Sequence, residues 1–231
     1  MAPVKSISRR SFIVMGAAMS LIPGATLAHP LYGGDDVTFN RDPSLLPPAQ
    51  SEQDFTITTY ASNLPQQFRM QQVTIGVQNP LGAIVIDPDN RFLYYMLGGD
   101  QAIRYGVGVG REGFAWSGDA YVGMKRKWPR WVPPETMVER DPNARKWANG
   151  MPGGPDNPLG ARAMYLFANG QDTQYRIHGT NEPSSIGHAM SSGCIRMLNE
   201  YVADLFERVH IGTHVRVLAS QQNTAVNGFS Q

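Results

Sequence analysis

A mostly β domain with limited helix is predicted by three features of the 231-residue sequence. Its apolar runs are short, rich in β-branched residues and separated by turn residues. Glycine and proline, 24 and 17 residues, suit many turns and few long helices. One stretch alone, residues 199–209, carries apolar side chains at clear helical spacing. With 42% hydrophobic residues a core can be buried, and the length fits one ordinary domain plus short extensions.

The elements follow in order. Residues 72–77 and 82–87 are β-branched runs, and Asp87-Pro88-Asp89-Asn90 is a turn leading into a further strand at 91–97, so 82–97 reads as a hairpin. Residues 102–110 form a strand punctuated by Gly106, Gly108 and Gly110, which permit bends or close backbone approach. Residues 125–160 hold Trp128, Trp131 and Trp147 among seven prolines, and no regular period survives. They predict a long excursion, partly helical around 135–147, followed by a glycine-proline loop. Loops of that length in a compact domain tend to be lids or binding loops. Strands resume at 163–167 and 175–177. Val202, Leu205, Phe206 and Val209 stand at i, i+3, i+4 and i+7 of the helix, with Asn199 as its expected N-cap. Residues 215–218 close the domain as a last strand, and residues 219–231 are a tail.

The N-terminus reads as an address. Arg9 and Arg10 precede an apolar stretch from about Phe12 to Ala28, with Thr26 and Ala28 placed for a signal peptidase. Residues 1–28 are therefore expected to be a twin-arginine export signal, and the protein periplasmic. The alternative is an uncleaved anchor, but Pro23 and Gly24 interrupt the stretch, which is short for a bilayer span of ~20 residues. Residues 29–71 are proline-rich and polar, as in a lightly structured extension. The net charge is +1, and loss of Lys5, Arg9 and Arg10 with the leader leaves 17 basic against 19 acidic residues. Neither balance supports binding to nucleic acid.

Chemistry concentrates at His178-Gly179-Thr180 and Ser191-Ser192-Gly193-Cys194-Ile195-Arg196-Met197. Cys194 is the chain's one cysteine, so it forms no disulfide within the chain. A thiol with an ordinary pKa of ~8.5 needs a base beside it to act as a nucleophile near neutral pH. An imidazole supplies that base when its other nitrogen is held, for instance by a neighbouring backbone carbonyl. Ser192 and Gly193 let the chain turn sharply, exposing the sulfur and aiming amide N–H groups at a developing oxyanion.

These two segments resemble the motif of YkuD-type L,D-transpeptidases, which joins an HG element at a strand end to an S-H-G-C-I-R element. Val107–Gly110, the Trp-Pro segment at 128–134, Gly150–Pro155, Asn157–Gly160 and the Asn199-Glu200 helix start also resemble the family's proteobacterial branch. The likeness covers about residues 72–218. It implies a YkuD-like β-sandwich or mixed sheet with a helix after the cysteine. It further implies Cys194 as nucleophile, His178 as acid/base and the Gly179 carbonyl as the group orienting it. Amides around Ser192, Gly193 and Cys194 would form the oxyanion hole. Arg196 would fix the cysteine loop or attract a substrate carboxylate.

The implied substrates are peptidoglycan stem peptides. The acyl group would pass through a thioester to a diaminopimelate amine, to a lysine of a wall-anchored protein, or to water. No cofactor or metal is implied. Where many members carry histidine before Gly-Cys this chain has Ser192, and His188 is an exposed-loop candidate rather than a second base. Three other readings are weaker. A zinc site of His178, His188 and Cys194 lacks paired ligand spacing. A wall-binding module without activity need not keep both His178 and Cys194. A papain-like protease would place its cysteine before its histidine. Trp128 and Trp131, by position in the excursion, are expected to shape the acceptor side.

Overall fold

The computed structural model describes residues 54–76, 79–110, 116–191 and 193–219. The chain divides into two units, residues 1–38 and 39–231, and every described residue lies in the second. The expected leader, the first part of the extension, Ser192 and nearly all of the tail fall outside the described residues. No helix among the described residues is long and apolar enough to cross a membrane.

Among the described residues eleven strands and three α-helices follow one another: β1 (Gln71–Thr74), β2 (Ile84–Asp87), β3 (Phe92–Gly98), β4 (Gln101–Gly106), β5 (Val109–Gly110), β6 (Gly118–Lys127), α1 (Glu135–Arg140), α2 (Pro142–Arg145), β7 (Arg162–Ala168), β8 (Gln171–His178), β9 (Ala189–Ser191), β10 (Ile195–Arg196), α3 (Asn199–Arg208) and β11 (His214–Val217). Nine strands form one mixed sheet in the order β1-β4-β3-β2-β11-β6-β7-β8-β10, while β5 and β9 pair separately. The contacts β2–β11 and β8–β10 are parallel and the others in the large sheet antiparallel. The mostly β reading and the 82–97 hairpin hold. The arrangement is a mixed sheet.

One face of that sheet is buried against α3. Tyr201, Val202, Leu205 and Phe206 of the helix meet Ile84, Ile86, Val122, Met164, Leu166, Ile177, Ile195 and Val215 in one apolar cluster. Alternation along β2 sends Ile84 and Ile86 into it and Val85 toward a smaller cluster around Ala83, Met96 and Ala102. Fully burying a branched aliphatic side chain contributes ~1.5–3 kcal/mol, so this cluster is the main apolar support of the strands that carry the site.

The longest strand, β6, is absent from the sequence reading. Gly118, Gly123 and the basic run Lys125-Arg126-Lys127 hide its pattern. In the structure Gly123 lies at a register shift between Val122 and Met124, beneath the ring of Phe167, where a Cβ would clash. Lys125 donates from Nζ to the carbonyls of Phe206 and Val209, capping the C-terminal end of α3. A charged run that looks like a solvated surface thus contains a structural cap.

Two further expectations change. Residues 54–70 are packed onto the domain: Leu64 is buried in the main core, and Phe55 lies edge-on to Trp128 with ring centroids 5.1 Å apart. Trp128 is 3% exposed, with its Nε1–H donating to Asp54 at 2.9 Å. It is an internal anchor of the excursion, buried where a side chain shaping the acceptor side was expected. The excursion it begins is held by Asn157, fully buried, whose Nδ2 donates to the carbonyls of Pro129 and Pro152 at 3.0 and 2.8 Å.

Candidate active site

β8 lies between β7 and β10, and its last residue is His178. In the parallel register with β10, Ile195 stands opposite Ile177 and Arg196 opposite His178. Ile177 and Ile195 point into the core and are fully buried. By alternation His178 and Arg196 take the other face. Cys194 directly precedes β10. Adjacent strands lie ~4.8 Å apart and rise ~3.3 Å per residue, which puts the Cα atoms of Cys194 and His178 roughly 8 Å apart. Sixteen positions of chain separate residues that the sheet makes neighbours.

The histidine is tightly framed. His178 is 5% exposed, and its Nδ1 donates to the Gly179 carbonyl at 2.6 Å in the tautomer that leaves Nε2 as acceptor. Its own carbonyl accepts from Met197 N at 2.8 Å, and Gly179 N donates to Arg162 O at 3.0 Å. The Asn199 side chain closes the turn. Its Oδ1 accepts from Ala161 N at 2.9 Å and Thr180 N at 3.1 Å, and its Nδ2 donates to Thr180 O at 2.9 Å. Glycine is required around it: a Cβ on Gly179 or Gly160 would lie 2.1 or 2.2 Å from that Oδ1. Asn199 is the first residue of α3 and makes no cap there; Leu198 occupies the N-cap position. The expected helix signal was a loop clamp.

The cysteine turn is built differently. Gly193 has φ +124°, a conformation side chains rarely adopt, and a Cβ there would stand 3.1 Å from the Tyr175 ring. Tyr175 stacks on Trp116 with centroids 5.4 Å apart. The half-buried Cys194 directs its S–H to the Gln174 carbonyl at 3.9 Å. Gln174 itself has φ +65°, held by its N–H donating to Asp172 at 2.8 Å.

Two guanidiniums, from Arg176 and Arg196, act on both groups. Burial pushes the His178 imidazole down to about 4; the Gly179 contact opposes that, and repulsion from Arg196 and Arg176 adds to it. Burial pushes the Cys194 thiol up, against an Arg176 backbone hydrogen bond and the two positive charges, with Asp172 assisting the rise. At neutral pH the resting pair is a thiol and a neutral imidazole. Arg196 Nη1 pairs with Glu182 at 2.9 Å, and Arg176 is bidentate to Asp172 at 2.6 and 2.7 Å. Neither acid was singled out by the sequence, because a lone acid at the start of a strand, as Asp172 is in β8, or in a loop, as Glu182 is, carries no spacing signal.

His188 is exposed and enters the structure through its backbone, accepting from Val109 N at 3.1 Å. Among the described residues no group of three or more His, Cys, Asp or Glu is placed to hold a metal ion.

Residues 82–217 match the family model YkuD, the L,D-transpeptidase catalytic domain. The "Probable L,D-transpeptidase YbiS" of Escherichia coli K12 is 32% identical over 161 residues, 68% of this chain and 49% of that protein. The "Probable L,D-transpeptidase ErfK/SrfK" of Salmonella typhimurium is 33% identical over 140 residues, 59% of this chain and 44% of that protein. This chain thus spans about half the length of these relatives. A crystal structure described as a probable carnitine operon oxidoreductase from Brucella melitensis is 51% identical and covers 68% of this chain and 98% of its own. The TM-score between the two is 0.47.

Proposed function

This chain belongs to the YkuD family of L,D-transpeptidase catalytic domains, and from that premise we propose that it is a cysteine acyltransferase acting on peptidoglycan stem peptides. The observation that carries the reading is the register of β8 against β10, which sets a buried, carbonyl-tied imidazole one strand away from the cysteine.

The neutral resting pair decides how the steps run. The Cys194 sulfur attacks the carbonyl of the third residue of a stem tetrapeptide while its proton passes to Nε2 of His178. The carbonyl oxygen takes the negative charge against amides of the Gly193–Cys194 turn, with Ser192 expected beside them. Collapse of the intermediate breaks the bond to the terminal D-alanine, whose amine leaves with the proton from Nε2. An amine of a second stem then attacks the thioester and gives its proton to Nε2; the C–S bond breaks, and the departing sulfur takes that proton from Nε2, restoring the thiol and the neutral imidazole. Because burial holds His178 unprotonated down to about pH 4, the base is available throughout the neutral range. The product is a new amide, a 3→3 cross-link where the amine is that of diaminopimelate. A protein lysine would give wall attachment and water a trimmed tripeptide.

Export by the twin-arginine route is part of the proposal, since the donor polymer lies outside the cytoplasm. Incubation with a tetrapeptide donor and a diaminopimelate-bearing acceptor, followed by product analysis, tests the reading. Free D-alanine with a cross-linked dimer supports transfer. Unchanged donor in the presence of titratable Cys194 overturns it.

A further inference from the structure

Residues 54–70 lie outside the matched family domain and carry none of the motif, yet they touch the supports of both site residues. The segment contains two short 3-10 turns, Ala61–Asn63 and Gln66–Phe68. Arg69 ties it to itself, donating to Leu64 O at 3.0 Å and Ser62 O at 2.8 Å. Leu64 sits in the main core, and Met70 N donates to the Tyr201 hydroxyl at 3.0 Å. These contacts fix the path of the segment across the domain.

One contact reaches the histidine side. Glu200 Oε1 accepts from Tyr60 N and Ala61 N at 2.5 and 2.8 Å. Glu200 is the neighbour of Asn199, whose amide clamps the turn after His178. The other carboxylate oxygen, Oε2, is buried without a hydrogen-bond partner. A buried carboxylate is costly unless satisfied, so the amides of Tyr60 and Ala61 and the first turn of α3 are what hold it.

A second contact reaches the cysteine side. Phe68 is wedged between two glycines: a Cβ on Gly106 would lie 2.5 Å from Phe68 O, and one on Gly187 would lie 2.5 Å from its ring. Gly187 N donates to Val107 O at 3.0 Å, and Val109 N to His188 O at 3.1 Å. Between them, Gly108 exchanges both backbone hydrogen bonds with Arg196 at 2.9 Å, two residues after Cys194. Phe68 therefore bears on the ribbon that fixes β10, the strand that directly follows the cysteine.

We propose that residues 60–68 are a strap that sets the distance between Cys194 and His178, with Phe68 and Glu200 as positioning residues for acyl transfer. Neither touches the reacting atoms. The role for turnover rests on the function proposed above, while the geometric role does not.

The test uses the full chain with Phe68→Ala, Phe68→Leu and Glu200→Ala, assayed well below each variant's melting temperature. Three quantities are read: D-alanine release as kcat and KM, iodoacetamide alkylation of Cys194 at neutral pH, and Tm. A misplacement of ~1 Å costs on the order of 10²-fold, so Phe68→Ala is expected to lower kcat by about that factor with KM within about two-fold. Alkylation should rise, because water entering the loosened site relieves the burial that pushes the thiol up. Phe68→Leu should recover most of the loss. A lowered Tm with unchanged kcat and unchanged alkylation would overturn the strap as a positioning device. Should the wild type release no D-alanine, the function fails and alkylation alone decides the strap: a rise supports it, no change overturns it. Where Phe68→Ala does not fold, Phe68→Leu and Glu200→Ala decide by the same readouts.

Discussion

The two halves of the site are built to different standards. The His178 turn lies inside the sheet, with strands on both sides, and the amide of Asn199 satisfies its backbone in both directions. Cys194 precedes the terminal strand of the same sheet, two residues long, with Gly108 bridging its other side. The base is set in a rigid frame while the sulfur sits at an edge. The imidazole is fixed in one orientation by the Gly179 carbonyl, whereas the cysteine turn has a strand on one side and a single bridge at Gly108 on the other.

The largest effect expected from breaking this contrast is at the edge itself. Cys194→Ala should abolish any donor adduct in an intact-mass assay while leaving Tm close to the wild type. Removing the framed partner comes next: His178→Gln should lower the rate of thioester formation by ~10²–10⁴-fold, measured by single-turnover D-alanine release. Asn199→Ala attacks the frame without touching either group. It leaves the amides of Ala161 and Thr180 and the carbonyl of Thr180, both buried residues, without their partner, each group worth ~1–3 kcal/mol if left unsatisfied, so Tm and kcat should fall together.

Acid offers a smaller, graded break. The folded-state value of His178, about 4, lies below its ordinary 6.5. The stability this difference contributes is fully present above pH 6.5 and is lost as pH falls from there through 4, on the order of 3 kcal/mol. Denaturant titrations across that window should show the loss in the wild type and a shallower slope in His178→Gln. Glu182→Gln should matter least. Its ion pair with Arg196 has an exposed carboxylate, and such pairs are worth ~0–1 kcal/mol, which a melting curve at two salt concentrations resolves.

What the sequence disclosed follows the same contrast. Strands β2, β3 and β4 and helix α3 were legible because each combines buried with less buried positions at short intervals, and β7 because its run is apolar and buried almost throughout. β9 and β10 are three and two residues long, too short to hold a period. β6 was hidden by its own function in the fold, since Gly123 makes room for Phe167 and Lys125 caps a helix. Cys194 and His178 stood out because a thiol and an imidazole carry chemistry in their identity. Asn199 did not, since an asparagine before an apolar period reads as a cap; only tertiary contacts turn it into a clamp. The resemblance covered the domain but stopped short of residues 54–70, whose anchorage lies in backbone amides and one ring between two glycines.

The most direct test of the paired thiol and imidazole is intact mass spectrometry of the protein after a single exposure to tetrapeptide donor, with His178→Gln alongside. An acyl adduct on Cys194, short of the donor by one D-alanine, should form in the wild type and be far slower in the variant. Equal adduct formation in both proteins, or none in a wild type whose thiol still alkylates, would contradict the account.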